Sequence, residues 1–262
     1  GTGVSDATVA GTCTVTAGLP AALYEDDFQG YADTAAFQSV LTANSFYASD
    51  SISKTLAEID TTTTYNGNQT YKLVQPTGTG DTPQLVKRFT SIGNIWARTL
   101  LKFPSAFTLS GSGGGQPSYK LMGFGFDNEV GRSIYAYSNT ELQLEGRGGS
   151  PPRPYFGAVA RSTSGTFNDA WWVFDQHYVK NASNHWIMRS WIYPDGSDPS
   201  TGHYTVLSVK DATTVADVNQ FLLNRNFNRT RTADQYLHCA YWKVWNNATT
   251  ADPMSYGDDV SA

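Results

Sequence analysis

The strongest constraint on this chain is a recurring one: short alternating segments, rich in β-branched and aromatic residues, broken every few positions by Gly, Pro, Asn or Asp. Segments 52–59, 71–74, 84–89, 95–103, 119–126, 133–137 and 141–145 follow this pattern, after a short acidic one at 23–28. Further on, 155–161, 170–179, 185–193, 204–209 and 236–245 repeat it. Period-two segments of this composition form half-buried strands. About a dozen of them, with no internal repeat of fixed period, predict an all-β, two-sheet antiparallel sandwich or closed barrel rather than a propeller or solenoid. Helical spacing is confined to 34–41, where Asp33 or Thr34 can cap and Ala35, Ala36, Phe37, Val40 and Leu41 cover one side. At most one short helix is expected.

Composition removes other classes. Hydrophobic residues make up 40% of the chain, enough to fill a core, which argues against disorder. The charged fraction is only 16%, against about 25% in ordinary globular chains. The net charge of -5, with no Lys/Arg run, disfavours nucleic acid and anionic membranes as partners. No apolar run reaches the roughly 20 residues of a membrane-spanning helix. Few Lys and many Ser, Thr, Asn, Gly and Tyr lean toward an extracellular, cell-surface or virus-particle address. The start at Gly1 is what a processed chain or a fragment would show. The Gly18-Leu19-Pro20 break divides the chain into a Thr-rich arm at 1–20, or the end of a preceding immunoglobulin-like domain, and a main domain at 21–262. Cys13 and Cys239 form one disulfide if the first and last strands lie side by side; otherwise they are two small buried hydrophobes.

Several chemistries lack their residues. Glu141 and Glu145 share a strand face but stand about 13 Å apart at roughly 3.3 Å per residue, too far for a glycosidase pair. His177, His185, His203 and His238 have no ligand-like spacing, so no metal site is expected. Asp26-Asp27, Asp127-Asn128-Glu129, Asp195 with Asp198, and Asp258-Asp259 leave a structural calcium as an alternative to plain turn chemistry; no other cofactor is implied. The 111–115 glycine run lacks a following Lys-Ser/Thr, and no Gly-x-Ser-x-Gly elbow occurs.

The stretch Tyr24-Glu25-Asp26-Asp27-Phe28-Gln29-Gly30-Tyr31 resembles the opening of concanavalin A-like lectin/glucanase domains, the laminin-G-like jelly rolls. Tyr71-Lys72-Leu73, Trp96-Ala97-Arg98, Lys120 to Phe126 and the closing Tyr241-Trp242-Lys243-Val244-Trp245 are similar to later parts of that layout, over about 21–250. The resemblance implies a jelly roll of two curved antiparallel sheets, with any ligand on the concave face or the loop rim. The glucanase Glu-x-Asp-x-Glu strand is absent. Blocks 98–102, 176–178 and 241–243 fall in the chain order of the alginate-type lyases that use this fold. That likeness implies Arg98 or Gln176 on a uronate carboxylate and His177 or Tyr241 moving the proton. Each block departs from the pattern. The first lacks a Glu and a second Arg, Gln176 and His177 are adjacent and so face opposite ways, and the third lacks the Gly, Tyr and Gln that should follow.

Aromatic residues are the remaining asset, because Trp and Tyr rings stack on sugar CH faces while polar neighbours take the hydroxyls. Alternation groups His185, Arg189, Trp191 and Tyr193 on one face, and Trp172, Phe174, Gln176 and Tyr178 on another. Gln176, Tyr178, His185, Arg189 and Trp191 are therefore the expected glycan contacts. The expected function is a non-catalytic, lectin-like module whose partner is a polysaccharide or glycan. The alternatives are a structural subunit of a capsid, fibre or surface layer, whose 4–16 arm pairs with neighbouring subunits, and a lyase acting on uronic polymers.

Overall fold

The computed structural model describes residues 22–41, 46–47, 56–78, 85–104, 119–126, 129–136, 142–146, 169–180, 185–198, 202–210, 218–227 and 233–246. Two antiparallel sheets face each other. The larger has eight strands: β1 (Ala22–Asp26), β3 (Ala57–Tyr65), β4 (Asn68–Gln75), β6 (Asn94–Lys102), β10 (Trp171–Lys180), β11 (His185–Pro194), β12 (His203–Lys210) and β14 (Gln235–Asn246). Its order is β12-β11-β10-β6-β14-β4-β3, and β1 pairs with β14 beyond the stretch that β4 occupies. The smaller has six, in the order β2 (Phe46–Tyr47), β5 (Leu85–Ile92), β13 (Val218–Phe227), β7 (Tyr119–Phe126), β8 (Glu129–Ala136) and β9 (Leu142–Gly146). This is the expected β-sandwich jelly roll. The single helix among the described residues, α1 (Thr34–Val40), starts where expected, with the Asp33 carboxylate accepting from the Ala36 amide at 2.8 Å.

Rings join the sheets. Phe124 of β7 packs edge-on against Tyr178 of β10 at 4.6 Å between centroids, and Phe221 of β13 meets Trp242 of β14 at 5.5 Å. β13 was not expected as a strand. Gln220 interrupts its apolar alternation, yet that side chain is buried beside Phe221 and Leu222. The β3–β4 connection was also unread as a turn. Asn66 and Gly67 adopt φ 51° and 81°, the two left-handed residues of a tight hairpin, for which Asn-Gly is the preferred pair.

Two expected glycan contacts are corrected here. Gln176 and Tyr178 lie on the core side of β10, where Gln176 Nε2 donates to the Tyr178 hydroxyl at 3.3 Å, so neither reaches the open face. Cys239 is a free thiol inside the core, its Sγ 3.3 Å from the Tyr241 carbonyl, and burial pushes its pKa well up. Cys13, the other half of the expected bridge, lies outside the described residues, as does the whole 1–20 arm. The expected strand at 155–161 also falls outside them.

The acidic opening segment owes its form to Asp26. Its carboxylate accepts from the Tyr24 hydroxyl at 2.8 Å, the Tyr31 hydroxyl at 2.7 Å and the Phe28 amide at 2.7 Å. Burial raises its pKa against the pull of these hydrogen bonds. They hold Phe28 at φ 62°, a left-handed backbone unusual for a bulky residue, and aim its ring at Phe37 and Tyr71. Asp26→Ala leaves two half-buried phenols and a strained backbone without their acceptor. We expect a loss of about 3 kcal/mol, at roughly 1–1.5 kcal/mol per bond, read from urea denaturation.

Candidate functional site

Alternation sends every second side chain of β6, β10, β11 and β14 to the open face of the larger sheet. From β6 these are Trp96, Arg98 and Leu100. β10 adds Val173, Asp175 and His177, β11 adds Arg189, Trp191 and Tyr193, and β14 adds Tyr241, Lys243 and Trp245. The face then divides in two.

One half is filled. Trp96 lies flat between His177, at 4.5 Å and 3°, and Trp191, at 5.2 Å and 18°. Trp96 is 0% exposed and Trp191 4%, with Leu100, Val173 and Tyr193 completing a second apolar cluster. Trp191 is on the face expected of it, but its ring is spent on Trp96. Arg189 is half-buried, with Nη1 3.3 Å from His177 Nδ1. The His185 side chain lies outside the described residues.

The other half is a groove of about 500 Å³ running over β14 and β1. Arg98, Tyr241, Lys243 and Trp245 form its floor, Glu25 and Asp27 one rim, and Tyr65 and Asn68 from the β3–β4 tip a wall. The tip is anchored across the sheet. The Tyr65 hydroxyl donates to Asp195 Oδ2 at 2.8 Å, and its ring meets Trp171 edge-on at 5.3 Å. Arg98 is fixed from behind: Nε and Nη2 grip the two oxygens of Asp175 at 2.6 and 2.8 Å, and Nη2 also reaches the Tyr193 hydroxyl at 3.1 Å. Tyr193 in turn donates to Asp175 Oδ2 at 2.7 Å. Asp175 is 0% exposed while Arg98 retains 27% of its side-chain surface. Lys243 forms an ion pair with Glu25.

Of the residues that the lyase likeness implied, Arg98 and Tyr241 reach the groove. Gln176 is in the core. His177 faces the same side but is covered. Its Nε2 lies 2.8 Å from the Asn94 amide oxygen, and burial, aided by the Arg189 charge, pushes its pKa down to about 3. In register His177 stands opposite Trp96 and Tyr241 opposite Leu100, four residues or about 13 Å apart along β6. Burial raises the Tyr241 phenol to about 12, so it stays protonated at neutral pH. The four residues therefore do not form one proton-transfer cluster.

Lys243, Trp245, Glu25, Tyr65 and Asn68 were missed as site residues. The 241, 243, 245 alternation was available in the closing strand, whereas Tyr65 reaches the site only because the Asn66-Gly67 tip folds back over the sheet. Among the described residues no group of His, Cys, Asp and Glu is arranged to hold a metal ion. Of the carboxylates considered for calcium, Asp26 is taken by tyrosines and Asp195 by Tyr65. Asp127, Asn128, Asp258 and Asp259 lie outside the described residues, as does Glu141.

No protein-family model and no curated protein matches the chain. Solved structures do, at the level of fold. Alginate lyase Aly36B superposes with a TM-score of 0.57 at 12% identity, over 87% of this chain and 98% of its own. The PL-14 alginate lyase from Aplysia kurodai gives 0.54 at 9%, over 80% and 94%. The endo-β-1,4-glucuronan lyase from Trichoderma reesei gives 0.50 at 12%, over 88% and 98%. These confirm the jelly roll, and at such identities they speak for the fold alone.

Two histidines on the open face make stability acid-sensitive. Burial lowers His177 to about 3 and, together with Lys72 and Lys102 against the opposing pull of Asp60, lowers His238 to about 4. Asp60 Oδ2 is 3.4 Å from His238 Nδ1 without a hydrogen bond, so at neutral pH this is no ion pair. The unfolded chain protonates both below about 6.5 while the folded chain does not, so stability is full above that value and falls as pH drops. Chemical denaturation at about pH 7.5 and about pH 5 should differ by about 2 kcal/mol for each histidine, and His177→Gln should remove its share.

Proposed function

We propose that the chain is a non-catalytic, lectin-like glycan-binding module, acting on an outer surface such as that of a cell or virus particle. The sugar lies in the groove over β14. Trp245, Tyr241 and Tyr65 offer ring faces and edges to its CH groups, and Arg98, Asn68, Asp27 and Glu25 offer hydrogen bonds to its hydroxyls. The observation that carries this reading is the groove itself, a recess of about 500 Å³ combining half-buried rings with an arginine held rigidly from behind. Preformed polar groups beside aromatic surface are what a sugar site needs, because little ordering cost is left for binding. The three similar structures, two alginate lyases and a glucuronan lyase, support a carbohydrate as the ligand class.

Elimination is the less supported role. A base must reach the sugar's proton, and the candidate imidazole is stacked under Trp96 with both ring nitrogens beside polar neighbours. Glycan-array screening followed by calorimetry tests the binding reading. Trp245→Ala is expected to weaken the best ligand at least about tenfold, or about 1.4 kcal/mol, with the fold retained by circular dichroism. An array without binders, or an unchanged affinity in Trp245→Ala, overturns it. Incubation with alginate and glucuronan is expected to yield no unsaturated product by ultraviolet absorbance; a steady rise refutes the non-catalytic role.

A further inference from the structure

We infer that the groove selects neutral sugars and discriminates against uronic acids. This inference rests on the glycan-binding reading and adds the ligand class to it. A site for uronates must present a cation whose charge is available to the incoming carboxylate. Among the described residues two cations line this groove, and each already faces a carboxylate of the protein. Asp175 occupies Nε and Nη2 of Arg98 and the Tyr193 hydroxyl takes the second Nη2 hydrogen, so neither of the two edges with which a guanidinium grips a carboxylate in two-point fashion is left whole. Drawing Arg98 onto a uronate would deprive a fully buried carboxylate of its guanidinium, which is a strongly unfavourable exchange. Lys243 is paired with Glu25 on the rim.

The charge count points the same way. Arg98 and Lys243 balance Glu25 and Asp27 among the lining residues, and Asp175 directly behind Arg98 tips the local sum to minus one. The chain as a whole carries -5, which repels a polyanion at long range. Sugar hydroxyls make different demands. They accept from a guanidinium or ammonium that remains paired and donate to a carboxylate, and a row of alternating donors and acceptors beside rings meets both needs. The pairing that weakens a uronate site therefore pre-orients one for neutral hexoses.

The test is a calorimetric titration of the intact protein with two matched panels at low and at high salt. One panel holds neutral gluco-, manno- and galacto-oligosaccharides; the other holds oligoalginate, oligogalacturonate and oligoglucuronan. Neutral ligands are expected to bind at least about tenfold tighter than uronates of equal length, with affinities that barely change with salt. Glu25→Gln frees the Lys243 charge, so it is expected to shift the affinity ratio toward uronates by about threefold or more. Glu25 is half exposed and the substitution nearly isosteric, so melting curves serve as the folding control. Uronates binding as tightly as neutral sugars, or a ratio unmoved in Glu25→Gln, overturns the inference and leaves the glycan-binding reading standing. Binding of neither panel overturns both.

Discussion

A carboxylate shut away from water at the middle of an eight-stranded sheet governs the open face of this protein. Asp175 has no exposure, so its charge must be met within the fold. Register supplies the answer, because Arg98 is its direct cross-strand partner and Tyr193 reaches it from β11. The bidentate geometry then fixes where the rest of the guanidinium can point. On one side of this pair the rings of Trp96, Trp191 and His177 close over the sheet; on the other the surface drops into the groove beside β14. The rigidity and the near-neutrality of that groove have one origin, the pairing of its cations.

Much of the fold was legible in the sequence, because period-two alternation states which residues share a face. It did so correctly for β10 and β11. Alternation does not state which face looks inward, and here both faces carry rings. On β10 the set Trp172, Phe174, Gln176, Tyr178 is as aromatic as a binding surface, yet it forms the core. The opposite set, Trp171, Val173, Asp175, His177, looks no more exposed and includes the buried acid. Gln176 and Tyr178 therefore sit on the inward side, while Arg189 and Trp191 sit on the outward one. Trp191 illustrates a second limit: facing outward is not the same as being accessible, since its neighbour Trp96 covers it.

The acidic opening segment takes its form from one carboxylate. The sequence pattern alone does not say why the acidic-Phe-Gly-Tyr stretch turns. The structure supplies the cause: Asp26 collects two phenols and an amide, and the resulting left-handed Phe28 inserts its ring beneath α1. Cys239, read either as half of a staple or as a small buried hydrophobe, faces the densely packed interior and packs as a small apolar group.

The placement of β14 has a bearing on biogenesis. This strand comes last among those described, yet it occupies a central slot, flanked by β6 on one edge and by β4 and β1 on the other. Until a ribosome releases it, the larger sheet exists as two unjoined pieces with bare inner borders and an unfilled place for Trp242. Such borders are the kind that recruit foreign strands, so newly made chains depend on prompt capture of a late segment more than the finished molecule's stability would suggest.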